Sequence, residues 1–362
     1  MQLVNVLEQN YESRTDVKTL PNSDFTLEVT NENSWDGVRL VAEINQNDTY
    51  NVEFEAIPSL KNCLLEIILP TEKSEYRINS FVLESPKKLQ FAFTPMHNSD
   101  SISFRMSSFG GYSSGKIEIK KLNIFDLFPV SDNEDLIQKI KIVGPWFHQI
   151  NLNGIKTRDI YKTDSPSRPG GFAKHFTVQD FIDNPIWIWS KFKDSIPKDL
   201  SGFKVLDIAC NAGFYSFELA KRGAHVIGID NSYEDIVRAK FAKKILEASN
   251  VDFEIINVDD LEKEFSEKFD LVLCLGLLYH VNDPKNLIRK VAKLTNFAFF
   301  ETIANVTSQS SELIDDRLIT NDGFLPTVPW LKEAFEEVGF TRIDQITKPD
   351  FSRTVFRCKK DS

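Results

Sequence analysis

The sequence predicts two domains, an all-β sandwich followed by a doubly wound α/β domain. Three observations lead to this prediction. Between residues 25 and 125, apolar and polar residues alternate in short runs, which is the period of a strand with one buried face. From Lys204 onward, strand-like runs alternate with helical ones. A loop of small residues, 209–213, lies between the first of those strands and the first of those helices.

The N-terminal domain is predicted to span residues 1–130. In Thr49–Ile57, the side chains of Tyr50, Val52 and Phe54 lie on one face of the strand and that of Glu53 on the other. Roughly eight such strands, separated by turn residues, indicate an antiparallel sandwich rather than a parallel sheet.

The segment 131–200 is predicted to form an arm that leads into the second domain. It begins with a short amphipathic helix, Ser131–Lys141, for which Ser131 is a suitable N-cap. Further on, residues 139–174 hold seven Lys or Arg against two Asp, a local charge of +5. The arm is therefore basic, although the chain as a whole is acidic.

The C-terminal domain, predicted to span residues 201–362, alternates strands with helices. This order is typical of a doubly wound, Rossmann-like sheet, whose ligand site lies at the carboxyl ends of the strands. The predicted strands are Lys204–Ile208, His225–Ile229, Phe253–Asn257, Asp270–Leu275 and Phe297–Thr302, and the predicted helices are Tyr215–Arg222, Tyr233–Ala248 and Pro284–Leu294.

Charge and cysteine content argue against several classes of protein. With 43 Lys and Arg against 53 Asp and Glu, a net charge of −10, the chain is a poor candidate for non-specific nucleic-acid binding. Its four cysteines are far apart and no His is spaced to join them, so no metal site is expected. The N-terminus does not resemble a signal peptide, and the longest apolar run, Leu271–Tyr279, is half of the about 18 residues of a membrane span. A cytoplasmic location without a membrane span is expected.

Motifs at successive strand ends indicate one ligand site. The small-residue loop after Ile208 allows main-chain amides to approach a ligand, and the helix N-terminus that follows favours a carboxylate or phosphate. Asp230 ends the next strand, 23 residues after Asp207. That spacing suits a carboxylate that accepts hydrogen bonds from both hydroxyls of a ribose.

The next two strands end in further candidate residues. Asp259 and Asp260 follow the third strand and are placed to meet an adenine amino group, and Asp259 is the preferred candidate. A solvated acidic turn accounts for the two acids almost as well. The fourth strand opens through Leu275 and Gly276 into a Tyr-His pair.

These motifs, in this order, resemble the class I S-adenosyl-L-methionine (SAM)-dependent methyltransferases over Val205–Glu301. Three segments, Pro145–His148, Asp207–Ser216 and Gly276–His280, are similar to one branch of that class, the tRNA wobble-uridine methyltransferase-like proteins. That branch includes the wobble-uridine carboxymethyltransferase and many uncharacterised bacterial members, some of them tied to surface glycans. The resemblance extends from about residue 144 to 340. It implies a Rossmann-like SAM methyltransferase domain whose cofactor, SAM, is bound by Asp207, Ala209, Cys210, Asn211, Gly213, Phe214, Asp230, Asn231, Asp259, Asp260, Leu275, Gly276 and Trp146.

The loop departs from the usual glycine-rich pattern of the class at two positions. Where the pattern has three glycines, this chain has Ala209, Asn211 and Gly213. Alanine adds one methyl group, and asparagine tolerates a left-handed backbone better than most residues do. Cofactor binding is therefore expected to survive both changes.

Methyl transfer to a hydroxyl requires alignment of the reactants and removal of the hydroxyl proton. His280 is the leading candidate for the general base, because an imidazole accepts a proton near neutral pH; a structural role is an equal alternative. Tyr279 is expected to line the pocket. His148 and Trp146 are expected to close over SAM or, equally, to pack as part of the arm. The predicted catalytic residues are thus His280, Tyr279 and His148.

The basic arm supplies candidates for contact with an anionic acceptor, and a solvated basic face is the alternative explanation. Cys210 and Cys274 occupy positions where the fold needs small residues, so a packing role is expected for both. The predicted substrate-binding residues are Arg158, Tyr161, Lys162, Arg168 and Lys174.

The N-terminal sandwich resembles a carbohydrate-binding-module-type jelly roll along residues 36–54 and 116–124. Four loop or turn aromatics, Trp35, Tyr76, Phe109 and Tyr112, are candidates for stacking on sugar rings, or else ordinary surface aromatics.

Together these observations predict an O-methyltransferase that acts on a glycan, a glycan precursor or another hydroxylated, anionic acceptor. One alternative is a tRNA wobble-uridine modifying (carboxy)methyltransferase, which the basic arm permits and the net charge disfavours. Another is a non-catalytic binding or scaffolding protein with the same fold. Assembly into a homo-oligomer is left open.

Overall fold

The structure, a computed structural model, describes residues 2–4, 24–32, 34–46, 48–70, 75–161, 184–315, 324–347 and 353–361. The chain divides into two compact units, Met1–Gly144 and Pro145–Ser362. The segment 131–200 is therefore split between the units, with its first helix in the N-terminal one.

The N-terminal unit contains two antiparallel sheets, as the alternation predicts. The five-stranded sheet has the order β1-β3-β8-β5-β6, and the four-stranded sheet has the order β2-β9-β4-β7. The strands are β1 (Gln2–Val4), β2 (Phe25–Val29), β3 (Trp35–Ile44), β4 (Tyr50–Pro58), β5 (Cys63–Pro70), β6 (Glu75–Leu83), β7 (Lys87–Phe93), β8 (Ser99–Ser107) and β9 (Gly115–Asp126).

Aromatic side chains join the two sheets. The ring of Phe104 on β8 makes edge contacts with Phe25 on β2 and Phe54 on β4, each with a centroid separation of 5.5 Å. The inner face also buries Leu27 and Met106 completely. Removal of this apolar surface from water is what stabilises the sheet pair.

The predicted aromatics of this unit take different positions. Trp35 is the first residue of β3 and Tyr76 lies within β6, so neither lies in a loop; the side chain of Tyr76 is outside the described residues. Phe109, which is 50% exposed, begins a short 3₁₀ turn, and Tyr112 follows that turn half-buried.

The first helix, α1 (Asn133–Val143), ends the N-terminal unit. Its N-cap is Asp132, whose side chain accepts a hydrogen bond from the Asp135 N–H at 2.9 Å, so the expectation that Ser131 caps the helix was wrong. Ser131 instead donates its own N–H to the carboxylate of Asp135 at 2.8 Å. Asp and Ser are equally good N-caps, and an acidic side chain also interacts favourably with the helix dipole, which accounts for the one-residue difference.

The C-terminal unit is built on a seven-stranded sheet of order β14-β13-β12-β15-β16-β20-β19. Neighbouring strands from β14 to β16 are parallel, and β20 runs antiparallel to both of its neighbours. The strands are β12 (Lys204–Ile208), β13 (His225–Asp230), β14 (Val251–Ile255), β15 (Leu271–Leu275), β16 (Phe297–Ile303), β19 (Arg342–Gln345) and β20 (Arg353–Lys359).

This unit also contains helices and two short antiparallel strand pairs. The pairs are β10 (Asn151–Leu152) with β11 (Ile155–Lys156), and β17 (Leu313–Asp315) with β18 (Phe324–Pro326). The helices are α2 (Asn184–Phe192), α3 (Phe214–Ala220), α4 (Tyr233–Ile245), α5 (Leu261–Glu264), α6 (Pro284–Leu294) and α7 (Val328–Glu337). Among the described residues, no helix has both the length and the apolar character needed to cross a membrane.

The strand order places the candidate site. From β12 the chain proceeds to β13 and β14 on one side, and then returns to β15 on the other side. At such a reversal the connections leave the sheet in opposite directions, so a crevice opens beyond the carboxyl ends of the two central strands. The residues that follow β12, β13 and β15 therefore meet at one edge of the sheet.

Candidate functional site

The loop between β12 and α3 has an unusual backbone. The φ angles of Ala209, Asn211 and Gly213 are +59°, +51° and +87°, so every second residue is left-handed. Position 213 also has no room for a side chain, because a Cβ there would lie 2.5 Å from the ring of Phe253, so glycine is required. A Cβ at Gly228 on β13 would lie 2.7 Å from the same ring. The loop is thus packed tightly against the sheet.

Replacing Ala209 by glycine is expected to stabilise the protein. A left-handed alanine costs about 1–2 kcal/mol, and the greater chain entropy of glycine in the unfolded state offsets part of the gain, which leaves about 0.5–1 kcal/mol. Urea denaturation measures the difference. Ala212→Gly is the control, because Ala212 is buried in the same loop but does not have a positive φ. This substitution is expected to destabilise the protein. Equal effects of both substitutions would contradict this account.

Asp207, near the end of β12, is 1% exposed and binds the first helix turn. Its Oδ2 accepts a hydrogen bond from Ser216 Oγ at 2.6 Å. The carboxylate therefore fixes α3 to the central strand. Burial raises the pKa of Asp207 to about 7, and the nearby Asp230 carboxylate adds to this effect.

This raised pKa has a consequence for stability. Between about pH 4 and 7 the folded protein keeps the Asp207 proton that the unfolded chain releases, so the contribution of Asp207 to the free energy of unfolding falls as pH rises through that range. In Asp207→Asn this decline is expected to be absent. Thermal or urea denaturation from pH 4 to 8 measures the difference between wild type and variant; parallel curves would show that Asp207 is ionised throughout.

Asp230, the last residue of β13, ties the loop to the next helix. Its Oδ2 accepts the N–H of Asn211 at 2.9 Å, and its Oδ1 accepts the N–H of Ser232, the N-cap of α4, also at 2.9 Å. Burial raises the pKa of Asp230, whereas these main-chain hydrogen bonds oppose the rise. Each carboxylate oxygen keeps lone-pair capacity for a further donor, such as a ribose hydroxyl.

One polar atom of the loop has no partner within the described residues. The Oδ1 of Asn211 is buried and accepts no hydrogen bond there. A buried acceptor of this kind is costly unless a ligand or water satisfies it. The loop therefore fits a cofactor that brings hydrogen-bond donors to it.

The two acids after β14 lie at the surface. They end a 3₁₀ turn, Val258–Asp260, which the buried Lys290 holds by donating from Nζ to the carbonyls of Val258 at 3.1 Å and Asp259 at 2.8 Å. The Asp259 side chain is 85% exposed, and Asp260 is also exposed. Both carboxylates are thus exposed, and Asp259 Oδ1 also lies 3.6 Å from Nζ of the buried Lys290.

The Tyr-His pair follows β15 through Leu275 and Gly276. Gly276 has φ +70° and donates its N–H to the carbonyl of Glu301 at 2.9 Å. Tyr279 is buried and His280 is exposed, and their ring centroids are 4.1 Å apart. The imidazole therefore lies at the surface of the crevice edge, against a buried phenol.

A buried ion pair that the sequence did not predict lies beside Tyr279. Arg353 Nη2 donates to Glu301 Oε2 at 2.7 Å, and its Nε lies 2.5 Å from Oε1. Arg353 Nη1 also donates to the hydroxyl of Tyr279 at 3.2 Å. Burial raises the pKa of Glu301 although Arg353 opposes the rise, and Glu301 and Tyr279 raise the pKa of Arg353 against burial. This group fixes the phenol that supports His280.

The residues before the sheet pack against the start of α3 and against α4. The buried ring of His148 makes edge contacts with Phe214 and Tyr215 at 6.3 and 5.8 Å, and Trp146 packs 6.3 Å from Phe241. Burial lowers the pKa of His148 to about 4, so its imidazole is neutral at pH 7. Its Nδ1 is buried without a hydrogen-bond partner in the described part of the chain.

Of the predicted substrate-binding residues, some lie within the described part of the chain and others do not. Arg158 is buried and donates from Nη1 to the Phe147 carbonyl at 2.8 Å. Tyr161 ends a 3₁₀ turn, and its side chain is outside the described residues. Lys162, Arg168 and Lys174 lie wholly outside the described residues.

Burial raises the pKa of the Cys210 and Cys274 thiols, in keeping with packing roles. Within the described ranges, no group of three or more His, Cys, Asp or Glu side chains could hold a metal ion.

The sheet order, the left-handed loop and the strand-end acid define the class of this domain. Residues 199–323 match the family model described as a methyltransferase domain. The C-terminal unit is a class I SAM-dependent methyltransferase domain, and SAM is its cofactor. The residues that fit SAM are those of the loop, with Asp230 beside Asn211.

Among curated proteins, the chain is similar to the tRNA U34 carboxymethyltransferase of Campylobacter hominis, with 32% identity over 194 residues, 51% of this chain and 66% of that protein. It is also similar to the ubiquinone biosynthesis O-methyltransferase of Neisseria meningitidis, with 34% identity over 109 residues, 29% of this chain and 46% of that protein. The chain thus spans about two thirds of the first relative and less than half of the second. The N-terminal domain of EvdMO1, solved in the presence of SAH and D-fucose, aligns with 64% of this chain and 98% of its own at 21% identity and a TM-score of 0.46.

Proposed function

We propose that the protein is an O-methyltransferase that acts on a hydroxyl of a glycan or glycan precursor. The observation that carries the proposal is the position of His280. Its exposed imidazole lies beyond the carboxyl end of β15, at the strand reversal, and rests on a tyrosine held by a buried ion pair. An exposed imidazole beside the cofactor edge suits removal of a hydroxyl proton at neutral pH.

The chain's own residues then have separate tasks. SAM, when bound, supplies a methyl group already activated on a sulfonium. Asp230 and the loop amides hold the cofactor, and Tyr279, fixed by Arg353, lines the space beside His280. His280 would accept the proton of the acceptor hydroxyl, and the acceptor oxygen would take the methyl group that bound SAM would supply. Holding the cofactor is therefore assigned to Asp230 and the loop after β12, and proton removal to His280 after β15.

Replacing His280 by alanine tests this assignment. With a hydroxylated acceptor, kcat is expected to fall about 10²- to 10⁴-fold, with loss of the ascending limb of the pH profile, whereas SAM affinity stays unchanged. His225→Ala is the matched control, because His225 is also exposed but begins β13 at the opposite, amino end of the sheet. Turnover near wild type across the pH range would make His280 a structural residue.

The acceptor class is tested in cells. Mass spectrometry of surface polysaccharide from a deletion strain is expected to show the loss of one methyl group per modified residue. An unchanged polysaccharide would contradict the glycan assignment and leave the transfer chemistry standing.

A second candidate function is carboxymethyl transfer to the wobble uridine of tRNA. The tRNA U34 carboxymethyltransferases of Campylobacter that match nearly 200 residues of this chain carry that name. The net charge of −10 disfavours a tRNA substrate. Co-purified tRNA, together with loss of a wobble modification on deletion, would favour this function over glycan methylation.

A further inference from the structure

A buried lysine on α6 holds the short turn that follows β14. Lys290 is 6% exposed, and its Nζ donates to the carbonyls of Val258 and Asp259. The same Nζ lies 3.6 Å from Oδ1 of Asp259. A buried ammonium group is costly unless its charge and its N–H donors have partners. These partners all belong to one turn, so Lys290 fixes the position of that turn relative to α6.

The start of the same turn is held by its own N-cap. Asn257 Oδ1 accepts the N–H of Asp259 at 2.9 Å, and the Asn257 carbonyl accepts the N–H of Asp260, also at 2.9 Å. The N–H groups of the turn are thus bound by Asn257 and its carbonyls by Lys290. The main chain is held from both sides, while the side chains of Asp259 and Asp260 stay exposed.

This turn lies beside the acid assigned to the ribose of the cofactor. Ile255 on β14 is paired with Asp230 on β13, and Ile256 donates its N–H to the Asp230 carbonyl at 3.1 Å. The turn Val258–Asp260 follows at the same edge of the sheet. In SAM, the cofactor of this domain, the adenine base is attached to the ribose. The base of a ribose held by Asp230 therefore lies next to this turn.

We propose that Lys290 is a positioning residue that sets the preference of the cofactor site for adenine, acting through the turn and the carboxylate of Asp259. The exocyclic amino group of adenine donates hydrogen bonds, and a carboxylate accepts them. Hypoxanthine has a carbonyl oxygen in place of that amino group, so the same carboxylate meets an acceptor instead of a donor. The inference concerns the cofactor alone and does not depend on which acceptor is methylated.

Calorimetric titration of the full chain with S-adenosyl-L-homocysteine (SAH) and S-inosyl-L-homocysteine tests this role, because the two ligands differ only in the base. Wild type is expected to bind SAH at least about tenfold more tightly, the usual effect of one hydrogen bond to a charged group. Lys290→Met is expected to reduce this preference to less than about threefold, by weakening SAH binding and leaving the inosyl ligand nearly unchanged. Lys290→Arg keeps a cation with several donors and should retain most of the preference.

A double-mutant cycle tests whether Lys290 acts through Asp259. Asp259→Ala is expected to lose the base preference to the same extent as Lys290→Met, and the double variant should show no further loss, since both changes remove one interaction. Asp260→Ala is the matched control, because Asp260 is the neighbouring exposed acid, and it should keep the preference. Loss of the preference in Asp260→Ala alone, or additive losses in the cycle, would overturn the assignment.

Lys293→Met is the control for charge and for the helix. Lys293 also lies on α6 but is 59% exposed and pairs with the side chain of Glu262 rather than with the turn. It is expected to bind both ligands as wild type does. Equal weakening of both ligands by a folded Lys290→Met would show a general structural role and overturn the proposal, as would an undiminished preference or a wild type that shows none. If Lys290→Met does not fold in urea denaturation, Lys290→Gln takes its place with the same outcomes.

Discussion

Replacing Asp230 by alanine is expected to reduce the affinity for SAM at least about 100-fold. The substitution removes the carboxylate that accepts the Asn211 and Ser232 amides, so the loop loses its anchor to β13. It also removes the acceptor assigned to the ribose hydroxyls. Hydrogen bonds to a charged group contribute about 1.5–3 kcal/mol each, and 1.4 kcal/mol corresponds to a tenfold change in affinity. Equilibrium dialysis with labelled SAM measures the loss.

Asp252→Ala is the control for this experiment, because Asp252 is a 69% exposed carboxylate on the neighbouring strand β14 that pairs with Lys243. It is expected to bind SAM as wild type does. Undiminished binding by Asp230→Ala would remove Asp230 from the site. Absence of SAM binding by wild type would favour a scaffolding protein of the same fold over an enzyme.

Replacing Glu301 by leucine is expected to destabilise the protein by about 3–5 kcal/mol. Glu301 is 1% exposed, and its loss leaves the guanidinium of Arg353 buried without a counter-charge. Breaking an exposed pair costs far less: Arg342→Met, which disrupts the exposed Arg342–Asp361 pair, should change stability by less than about 1 kcal/mol. Urea denaturation of the three proteins measures both effects.

A double variant distinguishes charge from packing. Glu301→Leu combined with Arg353→Met replaces the ion pair by apolar side chains, which is often neutral for stability. Most of the lost stability is therefore expected to return, while turnover stays low because Tyr279 has lost its hydrogen bond. If the double variant is as unstable as Glu301→Leu alone, lost packing, rather than an uncompensated charge, is the cause.

The parallel core and its loop were predictable from sequence because their signals are local. Runs such as Leu271–Leu275 are apolar throughout, as a strand buried on both faces must be, and small residues mark the turn that follows β12. Asp230 was singled out as a candidate because an acid at the end of a buried strand lies at a fixed edge of the sheet, and the structure places its carboxylate against the loop. The starts of the elements differed by up to two residues, as at β14, since helix and strand ends depend on contacts that a local pattern does not contain.

The Glu301–Arg353 pair was not predictable because it joins residues 52 positions apart on antiparallel strands. β20 contains two arginines, Arg353 and Arg357, and the sequence alone does not distinguish the one that pairs with a buried carboxylate from the one at the surface. The N-terminal unit shows the same limit. Alternation identified its strands, but the placement of β8 between β3 and β5, which brings Arg105 beside Glu66, follows from long-range pairing alone.

The contact of Phe253 with two glycines links three positions that are distant in sequence. Because its ring occupies the space of a side chain at both 213 and 228, neither glycine can change while the phenylalanine stays. A smaller residue at 253 would remove the 2.7 Å contact at 228 and leave Ser216 Oγ at 3.0 Å, whereas the left-handed φ at 213 would still require glycine. Natural variation should therefore couple positions 228 and 253 and leave 213 fixed, so that a homologue with alanine at 228 carries a smaller residue at 253.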